Sequence, residues 1–145
     1  MTYNVYFEDV APGDELPAFE RKTDFMNWNR FAAVNDEFVY IHMDDEVGEA
    51  AGQGGAFGMG NLRYTYVLNA LREWIGDEAQ VRELAMQFRS INHKNDILTT
   101  HCVVTDKRVE EGENRIFLDV DVRNQTGAST SPGHAVVVVP SRANS

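Results

Sequence analysis

The sequence predicts an α+β fold in which a curved antiparallel sheet wraps around one long buried helix. Residues 60–74 carry apolar side chains over more than half of a helical circumference, which is typical of a deeply buried helix. After Gly76 the pattern changes to apolar and polar residues in alternation, in runs separated by turn signals, as in antiparallel strands. A buried helix followed by such strands favours one domain, residues 1–145, with the sheet curled around the helix.

Size and composition indicate a soluble globular protein. The chain has 145 residues, of which 43% are hydrophobic and 25% are charged, values that suit a single domain. Residues 1–10 lack the basic start and apolar core of a signal peptide, and no apolar run approaches the ~20 residues of a membrane span. The single Cys102 excludes an internal disulfide and indicates a small buried hydrophobe. These features predict a cytoplasmic location.

The charge balance narrows the range of partners. Thirteen Lys and Arg residues against 23 Asp and Glu residues give a formal net charge of −10. Nucleic acids and anionic membranes would both be repelled by such a surface, so neither is expected as a partner. A small anionic ligand held by a local basic pocket remains compatible with the composition.

The first 51 residues predict short elements. Residues 3–7 favour a short strand, and residues 15–22 favour extended backbone. Thr23 or Asp24 would cap a helix that runs through Val34 with its aromatic residues on one face. Residues 43–51 allow one or two helical turns, with Asp44 and Asp45 at the start, where the helix dipole favours negative charge.

The long helix is predicted over residues 60–74, and four strands follow it. The helix carries one apolar stripe, made of Leu62, Tyr66, Val67, Ala70, Leu71 and Trp74. The alternating runs cover residues 84–88, 98–104 and 116–122. The last run, residues 134–139, is apolar on both faces, as a central strand would be, and it is also a candidate interface between subunits.

Chemistry-bearing residues concentrate between Asn35 and Trp74. Asp36 and His42 lie six positions apart, and a glycine-rich loop then leads into the long helix. A carboxylate can hold and deprotonate a water, and an imidazole can move a proton near neutral pH. The free amides at Gly60 and Met59, at the helix start, could bind a developing negative charge. The alternatives are a helix-capping Asp36, a structural His42 and a Gly60 needed only for close packing.

Residues 31–44, FAAVNDEFVYIHMD, resemble the signature of the MaoC-type (R)-specific enoyl-CoA hydratases and dehydratases. In that family an aromatic-Ala-x-x-x-Asp run leads through a short loop to Ile-His-x-Asp. The start of the long helix at Gly60-Asn61-Leu62, the stretch 88–99 and the turn 124–127 also fit, so that the resemblance covers nearly the whole chain.

The resemblance implies a hot-dog fold, usually dimeric, and (R)-specific hydration of trans-2-enoyl thioesters without a metal or a cofactor other than the coenzyme A of the substrate. Asp36 and His42 would be the acid/base pair, and the Gly60 amide would bind the thioester carbonyl. Two departures stand out. The family loop usually has five steps from Asp to His and contains Asn-Pro, whereas six steps separate Asp36 from His42, and Val39-Tyr40 replace Asn-Pro.

Substrate contacts are predicted on both sides of this pair. Tyr40, Phe57 and Tyr64 are candidates to line an acyl tunnel, and Arg89 and Lys94 are candidates to meet the phosphates of coenzyme A. A solvated turn is the alternative for the two basic residues. The histidines outside the pair, His93, His101 and His134, are too scattered to predict a metal site.

Three functions remain open on the sequence. The first is a hydratase or dehydratase of 2-enoyl-CoA and 3-hydroxyacyl-CoA thioesters. The second is a hot-dog thioesterase, for which the long helix offers only Glu73 as a carboxylate. The third is a non-catalytic or partner-dependent subunit of a heteromeric hydratase. A homodimer or higher hot-dog oligomer is expected for the first function. Coenzyme A is favoured over an acyl carrier protein as the carrier of the acyl group, because an acidic carrier protein would be repelled by this acidic chain.

Overall fold

The computed structural model describes residues 4–144. Its strands and helices, in chain order, are β1 Glu20–Lys22, α1 Phe25–Asn35, α2 Asp45–Ala50, α3 Gly60–Ile75, β2 Gln80–Met86, β3 Ile97–Glu110, β4 Glu113–Arg123 and β5 Gly133–Val138. Three short 3-10 turns add to these elements, at Phe7–Asp9, Tyr40–His42 and Arg142–Asn144.

The five strands form one antiparallel sheet in the order β1-β3-β4-β5-β2. In the middle of the sheet, Leu118 of β4 pairs with Val104 of β3 on one side and with Ala135 of β5 on the other. All three of these side chains are buried. The strand β5 therefore lies inside the sheet, as its apolar sequence predicts.

Helix α3 is the buried centre of the fold. It contacts β2, β3 and β4, and its buried residues are Leu62, Arg63, Tyr66, Val67, Ala70, Leu71 and Ile75. The helix ends where the N–H of Gly76, at φ 83°, donates to the carbonyl of Arg72 at 2.9 Å. This arrangement confirms the predicted sheet curled around one long helix, which is the hot-dog fold.

The two shorter helices begin as their sequences predict. The Asp24 carboxylate accepts a hydrogen bond from the N–H of Asn27 at 2.8 Å and caps α1. Asp44 caps α2 in the same way, accepting from the N–H of Glu46 at 2.8 Å. Each cap satisfies an N–H group that has no acceptor inside its helix.

Two predictions for the strands are corrected. Residues 4–7 form no strand; Tyr3, at the start of the predicted run, lies outside the described residues. The N–H of Phe7 donates to the carbonyl of Pro140 at 2.9 Å, and a 3-10 turn begins there. Strand β2 begins four residues earlier than predicted and ends at Met86, because its partner β5 pairs with it from Gln80 onward.

Within residues 4–144, no helix is both long enough and apolar enough to cross a membrane.

Candidate functional site

The glycine-rich loop is held between α2 and the turn at residues 93–96. A Cβ atom on Gly48 of α2 would lie 2.0 Å from the backbone oxygen of Gly55, so that only glycine permits this contact. Asp45 of α2 accepts a hydrogen bond from the N–H of Ala56 at 3.0 Å and also forms an ion pair with Lys94. These contacts fix the loop that leads to the start of α3.

His42 is oriented by this loop. Its side chain is 9% exposed, and its Nδ1 lies 2.6 Å from the carbonyl oxygen of Phe57. Since a carbonyl oxygen only accepts, Nδ1 carries a proton and donates it. Among the described residues Nε2 has no hydrogen-bond partner, and it is not one of the fully buried polar atoms. The neutral ring therefore presents an unoccupied basic nitrogen to solvent.

The N-terminus of α3 lies close to this histidine. Met59 precedes the helix without a side-chain cap, and the first N–H groups of a helix have no acceptor inside it. A Cβ on Gly60 would lie 2.5 Å from the ring of Phe88. The observed position of the half-exposed Phe88 ring therefore depends on glycine here, whether or not its amide also binds a ligand.

Arg63, one turn further along α3, is buried with a 3% exposed side chain. Its Nη1 donates to the carbonyl of Ser90 at 2.5 Å, and its Cζ lies 5.4 Å from the centre of the Phe88 ring. Its Nε is buried without a hydrogen-bond partner. Burial lowers the pKa of this guanidinium to about 10, so that it remains cationic at neutral pH.

One cavity of about 250 Å³ brings these groups together. Its lining residues come from the 3-10 turn, the glycine-rich loop, α3 and the segment after β2: His42, Phe57, Gly58, Gly60, Arg63, Phe88, Arg89, Ser90 and Ile91. The residues that carry a basic nitrogen, a helix N-terminus and a buried cation thus line one small volume. This is the combination that acid/base chemistry on an anion-forming substrate needs.

The two carboxylates that follow α1 differ in their surroundings. Asp36 is exposed, at φ 52°, and its backbone N–H closes the helix by donating to the carbonyl of Ala32. Glu37 is half-buried, and its Oε2 accepts hydrogen bonds from the side chains of Asn35 at 3.0 Å and Asn61 at 3.4 Å. Because Asn61 follows Gly60, Glu37 is the carboxylate that contacts the start of α3.

The other predicted substrate-binding residues divide into two groups. Phe57 and Arg89 line the cavity with His42, and Arg89 is held by hydrogen bonds to the side-chain oxygen of Gln87 at 3.1 and 2.9 Å.

Outside the cavity lining lie Tyr40, Tyr64, Met59 and Lys94. Tyr40 is 74% exposed and Met59 is 1% exposed, while the Tyr64 hydroxyl donates to the carbonyl of Leu84 at 3.4 Å.

Lys94 already has an acidic partner. Its ion pair with Asp45 holds the pKa of that carboxyl below its usual value, chiefly through the hydrogen bond from Lys94 and secondarily through the N–H of Ala56. Its Nζ also lies 4.4 Å from the centre of the Phe25 ring. These contacts tie the lysine to the scaffold of the loop.

A larger cavity, about 340 Å³ in volume, lies on the outer side of β2 and β5 and shares only Arg89 with the candidate site. Its other lining residues are Ala85, Met86, Gln87, Asp119, Pro132, Gly133 and His134. It contains neither His42 nor the start of α3, so the chemistry argued above does not apply to it.

Metal and thiol chemistry find no support in the described part of the chain. Residues 4–144 contain no cluster of three or more His, Cys, Asp or Glu side chains arranged to hold a metal ion. Cys102 is buried, and burial raises the pKa of its thiol to about 12. It is the small buried hydrophobe that its strand pattern indicates.

Arg63 and Glu37 were not predicted as site residues. A signal for Arg63 was present, because it lies three and four residues before Tyr66 and Val67 and so belongs to the buried stripe of α3. A charged residue on such a stripe is rarely buried without a partner. For Glu37 the available signal was its spacing of five residues from His42, whereas its contact with Asn61 joins residues 24 positions apart and could not be read from the sequence.

No family model matches the sequence, and none of the curated proteins matches it significantly. Solved structures do match its fold. The R-hydratase PhaJ1 from Pseudomonas aeruginosa superposes with a TM-score of 0.87 at 18% identity, over 97% of this chain and 88% of that one. A MaoC-like dehydratase from Rhodospirillum rubrum gives a TM-score of 0.80 at 20% identity, over 95% and 98% of the two chains.

A third match is to the ChsH1-ChsH2 complex from Mycobacterium tuberculosis, with a TM-score of 0.78 at 20% identity, over 89% of this chain and 98% of that one. The chain therefore has the hot-dog fold of the MaoC-like dehydratases and (R)-hydratases. Identities this low establish the fold, so the function is argued from the site.

Proposed function

We propose that the protein is a hydratase/dehydratase that adds water to 2-enoyl thioesters or removes it from 3-hydroxyacyl thioesters. The observation that carries the proposal is the position of His42. His42 lines the same cavity as Gly60, at the start of α3, and its Nε2 has no hydrogen-bond partner among the described residues. The fold shared with solved (R)-hydratases and a MaoC-like dehydratase supports the same reaction class.

The site contains the groups that the reaction needs. In hydration, Nε2 of His42 accepts a proton from water as the water oxygen bonds to C3 of the enoyl group. The electrons of the double bond move toward the thioester carbonyl, whose oxygen becomes an enolate. The N–H of Gly60 donates to that oxygen, a contact worth ~3 kcal/mol in oxyanion sites. The proton that His42 accepted is then delivered to C2, which completes the addition and returns His42 to its neutral form, and the reverse sequence is dehydration.

A carboxylate beside His42 would hold the water and assist the proton transfers. The sequence predicts Asp36 for this role, and Asp36 stays a candidate. Two observations favour Glu37 instead: its carboxylate reaches Asn61 at the start of α3, and it lies five residues before His42. Five is the usual Asp-to-His spacing of the family that the sequence resembles, so that Glu37 fits without the extra loop residue that Asp36 requires.

Coenzyme A is the proposed carrier of the acyl group of the substrate, and the proposed reaction uses no cofactor. An acyl carrier protein, itself acidic, would be repelled by a chain with a formal net charge of −10. Arg89, exposed at the cavity, is the available cation for a phosphate, whereas Lys94 is paired with Asp45.

A second copy of the chain is the proposed partner, in the cytoplasm. In the segment before His42, the apolar residues Val34, Phe38, Val39 and Tyr40 expose between 41% and 89% of their surfaces, and exposed apolar residues grouped in this way are typical of an interface. A different subunit is the alternative, as in the complex of two proteins among the structural matches. Light scattering of the purified chain distinguishes dimer from monomer, and co-purification would reveal a different subunit.

The thioesterase alternative receives no support from the geometry. Glu73, the single carboxylate of α3, is exposed near the C-terminal end of the helix, thirteen residues from Gly60. At about 1.5 Å per residue it lies roughly 20 Å along the helix from the cavity.

Hydration of crotonyl-CoA, followed as loss of the enoyl absorbance, tests the proposal. Wild type should be active, and His42→Gln should lose about 1,000-fold in kcat/KM, in the range expected for loss of a general acid/base. His101→Gln, which changes an exposed histidine of β3, is the matched control and should behave as wild type. An active His42→Gln variant would remove this histidine from the chemistry.

A further inference from the structure

Arg63 is a buried cation without an acidic partner. Among residues 4–144, no carboxylate lies within ion-pair distance of it, although the sequence contains ten more acidic than basic residues. Its protein contacts are one carbonyl, that of Ser90, and the face of Phe88. Neither contact carries a negative charge.

This arrangement is costly for the folded chain alone. Removing a cation from water is unfavourable unless an anion or a full set of acceptors replaces the water. Arg63 has five N–H donors, of which Nη1 is bonded and Nε is buried without an acceptor. Nη2 has no hydrogen-bond partner among the described residues and is not fully buried, so an anion entering the cavity would supply the missing charge and an acceptor for this group.

The position of Arg63 indicates which part of a ligand this anion would belong to. It lies three residues after Gly60 on α3, so that both residues share one face of the helix and differ in height by about 4.5 Å. A thioester carbonyl at the Gly60 amide would therefore lie within a few carbon–carbon bonds of the guanidinium, and an acyl chain that extends toward Arg63 would bring a terminal group to it.

We propose that Arg63 binds a carboxylate at the distal end of a short acyl chain, so that the preferred substrates are monothioesters of short unsaturated dicarboxylic acids. This inference rests on the proposed hydratase function for the placement of the thioester. A guanidinium matches a carboxylate through two parallel hydrogen bonds, and a cavity of about 250 Å³ suits a short chain. The phosphates of coenzyme A are a poorer fit, because the pantetheine arm separates them from the thioester.

Binding of unreactive thioesters tests the inference without catalysis. Glutaryl-CoA and butyryl-CoA are both saturated, and they differ only by the terminal carboxylate that glutaryl-CoA carries. By titration calorimetry, wild type should bind glutaryl-CoA at least about tenfold more tightly, as expected for one or more charge-assisted hydrogen bonds. Equal affinities would overturn the inference.

Variants assign this preference to Arg63. Arg63→Met keeps the length of the side chain without its charge, and it should reduce the preference toward unity. Arg63→Lys keeps the charge without the planar fork and should retain part of it. Arg72→Met, which changes an exposed arginine of the same helix, should leave the preference intact. Thermal melting establishes that each variant is folded; if Arg63→Met is not, Arg63→Lys and wild type still decide the matter.

Kinetics separate a binding role from a merely structural one. Glutaconyl-CoA is crotonyl-CoA extended by a carboxylate, and Arg63→Met should lower kcat/KM for it at least about tenfold more than for crotonyl-CoA. Equal losses for the two substrates would show that Arg63 only supports the loop through Ser90. If no enoyl thioester reacts with wild type but the glutaryl preference is present, the hydratase proposal fails and the carboxylate site stands.

Discussion

Nδ1 of His42 donates a hydrogen bond to the carbonyl oxygen of Phe57 across 2.6 Å. This one contact fixes the tautomer of the imidazole, and His42 lines the cavity that it shares with Gly60. The acceptor belongs to the glycine-rich loop, so the conformation of the loop determines the orientation of the base.

The tautomer can be measured directly. In a long-range proton–nitrogen NMR spectrum of the neutral ring, we expect Nδ1 of His42 to be protonated and Nε2 to be unprotonated. The exposed His101 is the internal control, because solvent does not impose one tautomer. A neutral His42 protonated on Nε2 would contradict the role of this nitrogen as the resting base.

Paired substitutions decide between the two candidate carboxylates. Glu37→Gln should lower kcat/KM for an enoyl-CoA by about 100-fold or more, because an amide cannot accept a proton from water. Asp36→Asn should retain most of the activity, since asparagine tolerates the left-handed backbone at this helix end. The reverse result, with activity lost in Asp36→Asn and kept in Glu37→Gln, would restore the pair that the sequence predicts.

The contact between Gly48 and Gly55 should be sensitive to one methyl group. Gly48→Ala places a carbon 2.0 Å from a backbone oxygen, so we expect a loss of about 2 kcal/mol in the free energy of unfolding, as in overpacked sites. The helix propensity of alanine would otherwise stabilise the variant by ~1 kcal/mol. Urea unfolding measures the change, with Glu49→Ala as the exposed control in the same helix. A more stable Gly48→Ala protein would refute the close contact.

The Asp45–Lys94 ion pair should contribute to stability in a pH-dependent way. Lys94 lowers the pKa of Asp45 from its ordinary value of 3.8, so the folded state favours the ionised carboxylate. The contribution is then present in full above that value and is lost as the pH falls through the lower folded-state pKa. Wild type should exceed Asp45→Asn in stability at pH 7, and the difference should shrink at pH 3. Glu49→Gln is the control, and a difference independent of pH would contradict this linkage.

Cys102 should be chemically silent in the folded protein. Its side chain is 3% exposed, and burial raises the pKa of the thiol to about 12, so almost no thiolate forms at pH 8. A chromogenic disulfide reagent for thiols should label no cysteine in the native chain. In guanidinium chloride it should label one cysteine per chain. Rapid labelling of the native protein would show that this part of the core opens readily.

Much of the fold was predictable because it depends on local patterns. The apolar stripe of residues 60–74 and the alternation after Gly76 gave α3 and the strands, and Asp24 and Asp44 marked the starts of two helices. Each of these signals lies within a few neighbouring residues. The segment 4–7 was mispredicted because its contact is with Pro140, which lies 133 residues after Phe7 in the chain.

The sequence by itself determined most of the elements, the buried central strand and the presence of His42 before a glycine-rich loop. Only the tertiary structure decided that Glu37 reaches α3 while Asp36 closes a helix, and that Arg63 is buried in the cavity of His42. Periodicity records which face of an element avoids water. It does not record which distant element covers that face, and side chains meet in a site through those long-range contacts.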